Sequence, residues 1–181
     1  MGVESMARLV HNLLDLGRID AGIGLMIEAV PLLEVLANVI STLQLQAVHK
    51  QIALGLETAP GLPTLIEADR ALLQQALYNL VENAIKYTPN GGQVTLRARA
   101  RPEGVLFEVQ DTGIGIPPAD IPRLFERFFR GSSREARQQG GSGLGLAIVR
   151  AIAERHGGKV WVESQVGKGS TFFLLIPHTQ G

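Results

Sequence analysis

Three polar and glycine-rich segments in one short chain constrain its fold more than any other feature. In chain order, residues 79–88 carry asparagines inside a helical pattern, residues 111–117 begin with an aspartate before paired glycines, and residues 140–146 hold a glycine cluster. Each segment is weak evidence by itself, because Asp-x-Gly commonly begins a turn and a glycine cluster is commonly a flexible loop. Together, in this order, they indicate one ligand site built from a helix, a strand end and a loop.

The composition narrows the class of protein. The 181 residues suffice for one hydrophobic core with a small appendage. The chain has 17 basic and 17 acidic residues, so no global field favours nucleic acid or an anionic membrane as a partner, and it has no cysteine for disulfides or thiolate metal sites. We find no membrane-spanning run and no secretion signal, and therefore expect a cytoplasmic location. Any anchorage of a longer parent in the inner membrane would lie outside this sequence.

The hydrophobic patterning predicts both helices and strands. Helices are predicted over 3–20, 31–49, 70–87 and 144–156, with Pro31 as the first helical residue of the second and Asp69 as the N-cap of the third. Strands are predicted over 51–57, 64–67, 93–101, 105–110, 159–164 and 170–176. These elements predict an α/β (α+β) two-layer sandwich in which three helices cover one face of one mixed sheet.

The third predicted helix sorts its residues onto an apolar face and a polar face. Wound at about 100° per residue, it gathers its polar residues on one side: Gln75, Asn79, Glu82, Asn83 and Lys86. Solvent exposure is the simplest explanation of such a face. Asparagine is unfavourable inside helices, however, and Asn79 and Asn83 lie one turn apart. Their amide oxygens would suit Mg²⁺, which takes hard oxygen ligands and keeps several waters, while Lys86 could meet phosphate.

The glycine segments predict two further walls of the site. Asp111 ends a predicted strand, where a carboxylate can accept a hydrogen bond from an exocyclic amine such as N6 of adenine, and neighbouring glycines let a flat ring approach. The cluster over 140–145 runs into a helix start, where free N–H groups and the helix dipole favour an anion. It is not a Walker loop, because no Gly-Lys-Ser/Thr follows, and it lacks the dinucleotide fingerprint, because Leu146 stands where the final glycine belongs.

Residues 117–139, between the glycine segments, are predicted to form a lid. The stretch is long and weakly periodic, and it contains five arginines together with a Phe-Glu-Arg-Phe-Phe run at 125–129. Arginine favours contact with phosphate, although a solvated basic surface explains any one of these residues equally well. We expect the phenylalanines to dock when the lid closes and excludes water.

From about Met6 to Pro177 the chain resembles the sensor histidine kinases of two-component systems. Residues 79–88 resemble their asparagine box, residues 111–116 and 141–145 their two glycine boxes, residues 125–129 their phenylalanine box and residues 169–173 their closing motif. The resemblance implies a Bergerat-type ATP-binding fold, with ATP and Mg²⁺ as cofactors. It also implies a homodimeric parent that transfers the γ-phosphate of ATP to a histidine, for relay to a response regulator receiver domain.

The resemblance implies roles for individual residues. Asn83 would coordinate Mg²⁺ with the support of Asn79, Glu82 is the candidate for activating the acceptor histidine, and Asp111 would recognise adenine. The last of the other implied nucleotide contacts would help to hold the adenine aspartate and its water. Those contacts are Lys86, Tyr87, Gly113, Gly115, Ile116, Arg130, Gly141, Gly143, Leu144, Gly145 and Thr171.

One departure from the family pattern concerns the acceptor. The family phosphorylates a histidine in a His-Glu/Asp-Leu-Arg-Thr-Pro-like segment, and no histidine of this chain lies in such a segment. His11 lies on the first helix and is interpreted as a bystander. We therefore expect residues 1–24 to be the second helix of a dimerisation hairpin and residues 25–181 to be the catalytic domain. Such a fragment would bind Mg-ATP without phosphorylating itself.

The first helix would then lack its usual partner. Four of its apolar residues would form an exposed stripe, which we expect to associate non-natively, swap or fray. They are Met6, Leu9, Leu13 and Leu16.

Other functions remain open. ATP hydrolases of the same superfamily, such as gyrase, place a glutamate one turn before the metal asparagine, whereas this chain has Asn79, an amide that cannot act as a base. Hydrolysis should therefore be slow. The serine kinases that control sigma factors lack the hairpin helix, so the first helix disfavours them. A non-catalytic, nucleotide-regulated signalling module would require the acceptor to be lost from the parent too.

Overall fold

The structure is a computed structural model and describes residues 2–20, 24–132 and 143–178. Within these ranges no helix combines the length and apolarity needed to cross a bilayer. The elements, in chain order, are α1 (Gly2–Asp20), β1 (Ile27–Pro31), α2 (Leu32–His49), β2 (Ala53–Thr58), β3 (Leu65–Asp69), α3 (Arg70–Lys86), β4 (Gln93–Arg101), β5 (Gly104–Asp111), a 3-10 turn (Ile121–Arg123), α4 (Gly145–Arg155), β6 (Lys159–Gln165) and β7 (Gly169–Pro177).

Five strands form the main sheet in the order β2-β4-β5-β7-β6. β2 is parallel to β4, and the other neighbours are antiparallel, so the predicted mixed sheet is confirmed. Alternate residues of β4 are buried, namely Val94, Leu96 and Ala98, as a half-buried strand requires. The register between β5 and β7 places Asp111 opposite Ser170. The ends of these two strands therefore meet at one edge of the sheet.

Three helices cover the inner face of this sheet, as predicted. α3 lies between α2 and α4, contacts both, and packs on β4 and β5. Its Leu73, Leu77 and Leu80 recur at helical spacing and are fully buried. The Asp69 side chain accepts the N–H of Leu72 at 3.1 Å, which confirms the predicted N-cap. The core side of α3 thus fixes its polar side away from the sheet.

A second sheet of two strands departs from the single sheet predicted. β1 pairs antiparallel with β3, and Val30 lies opposite Ile66. No strand was predicted at β1 because its residues other than Val30 are exposed or half-buried, which leaves a weak alternation. Pro31 ends β1 and serves as the N-cap of α2, in an extended conformation, so it is not the first helical residue.

Helix α1 packs on the rest of the molecule, which corrects the predicted exposed stripe. It contacts α4, and Leu16 is only 2% exposed. Leu9 is partly buried against the same core. Met6 and Leu13 are exposed, as expected, at 67% and 42%. The stripe is wrong at Leu16 and Leu9 because those residues face the helical layer of the catalytic fold.

Candidate functional site

One cavity of about 590 Å³ gathers most of the predicted site residues. Its size falls within the usual range for small-molecule sites. The polar face of α3 forms one wall, so that face is not simply a solvated surface. The predicted residues that line the cavity are Asn79, Glu82, Asn83, Lys86, Tyr87, Asp111, Gly115, Ile116, Arg130, Gly143 and Gly145.

The two asparagines of α3 supply hard oxygen donors to this cavity. The Asn79 amide nitrogen donates to the carbonyl of Gly145 at 3.4 Å, which leaves the amide oxygen of Asn79 for a ligand. Asn83 lines the cavity one turn later. The described residues contain no group of three or more His, Cys, Asp or Glu side chains that could hold a metal. The donor set therefore fits a Mg²⁺ ion bound by amide oxygen, water and phosphate, and no tighter protein cage.

Glu82 is held by two neighbours. Its carboxylate accepts a hydrogen bond from the Tyr78 hydroxyl at 2.9 Å and lies 3.4 Å from the guanidinium of Arg8. Burial raises the pKa of Tyr78, and the adjacent Glu82 carboxylate raises it further. The Tyr78 hydroxyl therefore keeps its proton and acts as a donor to Glu82.

Asp111 closes the opposite end of the cavity. One carboxylate oxygen, Oδ1, accepts the N–H of Gly113 at 2.8 Å and the N–H of Ser170 at 3.2 Å. The residue is 6% exposed, and burial raises its pKa to about 6, although the two N–H groups act in the other direction. At neutral pH the side chain is therefore a carboxylate, and its Oδ2 is left to accept from a ligand.

The register moves the role predicted for Thr171 to Ser170. Thr171 pairs with Gln110, whereas Ser170 pairs with Asp111 and lines the cavity. Successive side chains point to opposite faces of a strand, so Thr171 faces away from the helices. The Ser170 hydroxyl lies 2.8 Å from that of Ser164, which also accepts the N–H of Ile116 at 2.8 Å. Sequence reasoning missed both serines.

Two predicted residues stand behind the cavity wall. A Cβ on Gly113 would lie 2.5 Å from the carbonyl oxygen of Tyr87, so glycine lets this segment pack against the end of α3. The N–H of Ile114 donates to that same carbonyl at 3.2 Å. Leu144 is fully buried in the core and supports the start of α4. Gly141 lies outside the described residues.

The first part of the predicted lid also borders the cavity. Arg130 and Phe129 line it, and Phe125 packs edge-on against Phe172 with ring centroids 6.2 Å apart. Phe128 is exposed and donates its N–H to the carbonyl of Gly143 at 2.9 Å. The phenylalanine run is therefore connected to the second glycine segment. Residues 133–142, with the last two predicted lid arginines, lie outside the described ranges.

Positive charge collects where α3 ends. Burial lowers the pKa of the Lys86 ammonium, and the nearby Arg130 guanidinium lowers it further. Burial raises the pKa of the adjacent Tyr87 hydroxyl. An anion placed between Lys86 and Arg130 would reduce the repulsion between them, so this part of the cavity is suited to phosphate.

Helix α1 contributes to the cavity in a way that sequence reasoning missed. Arg8, His11, Asn12 and Asp15 all line it. The Asp15 carboxylate accepts from the Gln75 amide at 3.0 Å and lies 3.4 Å from Nε2 of His11. His11, interpreted as a bystander, is therefore part of the cavity wall. The signal was present, because these four polar residues recur at helical spacing.

Comparison with known proteins agrees with this geometry. Residues 68–180 match the family described as histidine kinase-, DNA gyrase B- and HSP90-like ATPase. The chain is 38% identical over 176 residues to the circadian input-output histidine kinase CikA of Synechococcus elongatus, and 39% identical over 173 residues to the sensor-like histidine kinase SenX3 of Mycolicibacterium smegmatis. These alignments cover 96% and 95% of this chain but 23% and 44% of the relatives, so it spans less than half of their length.

Solved structures share the fold. Full-length ShkA in complex with AMPPNP has a TM-score of 0.85 at 34% identity, covering 97% of this chain and 36% of that one. The nucleotide-free catalytic domain of the histidine kinase ThkA has a TM-score of 0.74 at 30% identity, covering 86% of this chain and 99% of that one. ThkA in complex with the response regulator protein TrrA has a TM-score of 0.76 at 26% identity, covering 98% and 48%. The chain therefore belongs to the family of histidine kinase-, DNA gyrase B- and HSP90-like ATPases, and histidine kinases are among its relatives.

Proposed function

We propose that this chain is the ATP-binding catalytic part of a sensor histidine kinase. It would bind Mg-ATP and deliver the γ-phosphoryl group to a histidine on a dimerisation hairpin. The observation that carries the proposal is the layout of one cavity, with the buried carboxylate of Asp111 at one end and the amides and cations of α3 at the other. A nucleotide is the ligand class that pairs an exocyclic amine with a string of phosphates.

The adenine end would work by orientation of one carboxylate. Because two backbone N–H groups hold Oδ1 of Asp111, Oδ2 is available to the N6 amine of adenine. Gly115 and Ile116 line the cavity beside it and would contact the ring. Ser170 would hold the aspartate in place from β7.

The phosphate end would combine amides, cations and a helix start. The amide oxygens of Asn83 and Asn79 would hold Mg²⁺, and Lys86 and Arg130 would contact phosphate oxygens. When bound, Mg²⁺ would offset the charge that develops on the transferred phosphoryl group. The glycines before α4, Gly143 among them, would bring backbone N–H groups close to the same phosphates.

Glu82 would assist the acceptor. As the acceptor nitrogen attacks, an N–P bond forms, the bond from the γ-phosphorus to the bridging oxygen breaks, and ADP leaves. The proton of the imidazole would pass to the Glu82 carboxylate. Tyr78 would orient that carboxylate, and Arg8 would have to release it first.

The partners and the division of the chain are part of the proposal. Residues 1–24 would be the second helix of the dimerisation hairpin of a homodimeric parent, and residues 25–181 the catalytic domain. A response regulator receiver domain would accept the phosphoryl group, which the ThkA–TrrA complex supports by analogy. The location would be cytoplasmic.

A slow ATP hydrolase is the second candidate. It is favoured by Glu82, a carboxylate that lines the cavity next to the Asn83 amide. Against it, Asn79 occupies the position from which gyrase-like enzymes activate water, and its amide donates to Gly145. Phosphate release from Mg-ATP that does not depend on an acceptor would favour this alternative.

The first test is a calorimetric titration with Mg-ADP of the parent chain and Asp111→Asn. In the variant, the two N–H donors would keep the amide oxygen at the Oδ1 position and turn the amide nitrogen toward the adenine amine. Donor would then face donor, and we expect affinity to fall about tenfold or more. Glu108→Gln, on the outer face of the sheet, is the matched control. Equal binding by Asp111→Asn and the parent would contradict the proposed adenine site.

A further inference from the structure

We propose that Lys50, which follows α2, is a positioning residue for the phosphate end of the nucleotide site. Its ammonium donates to the carbonyl oxygens of Ile85 and Lys86, at 2.8 and 2.6 Å. Lys50 does not line the cavity, so it would act through the end of α3. The inference rests on the nucleotide site proposed above and deepens it.

Lys50 completes the cap at the end of α3. The last four carbonyl groups of a helix have no partner within it. Here the N–H of Tyr87 bonds to the carbonyl of Asn83 at 3.1 Å, and the hydroxyl of the buried Thr88 bonds to that of Ala84 at 2.7 Å. The two carbonyls that follow both accept from Lys50. One side chain from another helix therefore satisfies half of this helix end.

This helix end joins both halves of the candidate site. It carries the Asn83 amide and the Lys86 ammonium into the cavity. The carbonyl of Tyr87, its C-cap, accepts the N–H of Ile114, in the segment that follows the adenine aspartate. A shift of the helix end would therefore move the metal amide, the phosphate cation and the glycine segment together.

Charge gives Lys50 a second effect. A helix C-terminus carries partial negative charge, which is unfavourable beside nucleotide phosphates. The Lys50 ammonium sits on the carbonyls that carry this charge and offsets it. Lys50 is also close enough to Lys86 to contribute to lowering its pKa, after the larger effects of burial and Arg130. The effect of Lys50 on ligand affinity should therefore grow with the number of phosphates.

The backbone around Lys50 is anchored independently of its ammonium. Gln51 takes the left-handed conformation, with φ of 57°, and its carbonyl accepts the N–H of Gly91 at 2.9 Å. The N–H of Ala53 donates to the carbonyl of Gly92 at 3.0 Å. These bonds tie the α2–β2 connection to the turn after α3. Removal of the ammonium alone should therefore leave the fold intact.

The test compares affinities for Mg-ATP, Mg-ADP and adenosine, measured by calorimetry on Lys50→Met, Lys50→Arg and the parent. We expect Lys50→Met to weaken Mg-ATP and Mg-ADP about fivefold and adenosine less than about twofold. Lys50→Arg, which keeps charge and donors, should restore phosphate-dependent affinity to within about twofold of the parent. Lys159→Met removes a lysine above Trp161, away from the cavity, and should change none of the three affinities.

Each result separates the inference from its alternatives. A uniform loss across the three ligands, or no loss, would overturn it, as would a failure of Lys50→Arg to restore affinity. Lys50→Gln, which keeps a donor without charge, replaces Lys50→Met if that variant does not fold, with the same expected gap between ATP and adenosine. Parent chain that binds no nucleotide would instead remove the proposed function, and this inference with it.

Discussion

The guanidinium of Arg8 lies 3.4 Å from the carboxylate of Glu82, and this ion pair joins α1 to the polar face of α3. Arg8 is 66% exposed at its side chain and Glu82 is 22% exposed. A pair of this kind contributes about 1 kcal/mol or less, because solvent screens it. Arg8 therefore restrains the proposed catalytic carboxylate only weakly, and the restraint can be released when an acceptor helix approaches.

Arg8→Ala should free Glu82 without loosening the fold. We expect the free energy of unfolding to change by less than about 1 kcal/mol, and phosphotransfer to a supplied acceptor hairpin to rise by no more than about fivefold. Urea unfolding and a single-turnover phosphotransfer assay with radiolabelled ATP measure the two quantities. Slower phosphotransfer in Arg8→Ala would mean that Arg8 assists the reaction and does not restrain it.

Glu82→Gln should separate chemistry from binding. The amide can still accept from Tyr78 but cannot take a proton, so phosphotransfer to the supplied hairpin should fall by about 100-fold or more. Affinity for Mg-ADP should stay within about twofold of the parent, because the adenine and metal groups are unchanged. The same two assays decide the matter. Unchanged phosphotransfer would assign the carboxylate a structural role.

Leu16→Ala and Leu14→Ala form a matched pair for the docking of α1. Leu16 is 2% exposed and Leu14 is 62% exposed, although both lie on the same helix. We expect Leu16→Ala to cost about 2–4 kcal/mol of unfolding free energy and Leu14→Ala less than about 0.5 kcal/mol. Equilibrium urea denaturation measures both. Equal, small effects would show that α1 is detached in solution, as the sequence alone had suggested.

The sequence predicts α3 and its chemistry well, for a local reason. Its apolar face, its polar face and the Asp69 cap are all encoded within one continuous stretch, so winding the helix is enough to find them. The docking of α1 is different, because an amphipathic pattern shows which face is apolar but not what covers it. Leu16 was therefore placed in solvent, whereas it lies in the core.

Strand register is the other feature that the sequence leaves open. Asp111 and Ser170 are far apart in the chain, and Ser170 and Thr171 are adjacent residues with the same hydroxyl chemistry. A slip of one residue exchanges the two faces of β7. Only the pairing of β5 with β7 decides which hydroxyl side chain reaches the site. β1 was missed for a related reason, since a strand with one buried residue shows little alternation.

The raised pKa of Asp111 predicts how adenine recognition depends on pH. Its pKa is about 6, and only the carboxylate form can accept from the adenine amine. Adenosine is the suitable probe because it has no phosphate to titrate. Its association constant should be level above about pH 7 and fall by up to about tenfold per pH unit below 6, with no such fall in Asp111→Asn. Calorimetry at a series of pH values would show this, and identical profiles would contradict it.

The same shift has the opposite sign for stability. The folded-state pKa of Asp111, about 6, exceeds its ordinary value of 3.8, so the folded state binds the proton more tightly. The stabilisation is fully present below the lower value and is lost as pH rises through the higher one, with a limit of about 3 kcal/mol. Comparison of parent and Asp111→Asn by urea unfolding over this window isolates the contribution from other carboxylates.

Ser170→Ala and Thr171→Ala decide which hydroxyl residue serves the site. The Ser170 hydroxyl contacts that of Ser164, which accepts the N–H of Ile116 in the cavity wall and donates to the carbonyl of Gly169. With that donor already used, the Ser170 hydroxyl is the donor between the two serines. Its removal leaves Ser164 one partner short, and the support of Ile116 and of the adenine carboxylate weakens.

We therefore expect Ser170→Ala to reduce adenosine affinity by about fivefold, which corresponds to one hydrogen bond of about 1 kcal/mol. Thr171→Ala, on the outer face, should change it by less than about twofold. Ser170→Thr keeps the hydroxyl and should bind within about twofold of the parent, provided the added methyl fits this buried position. A larger loss in Thr171→Ala than in Ser170→Ala would mean that the register of β7 against β5 is shifted by one residue in solution.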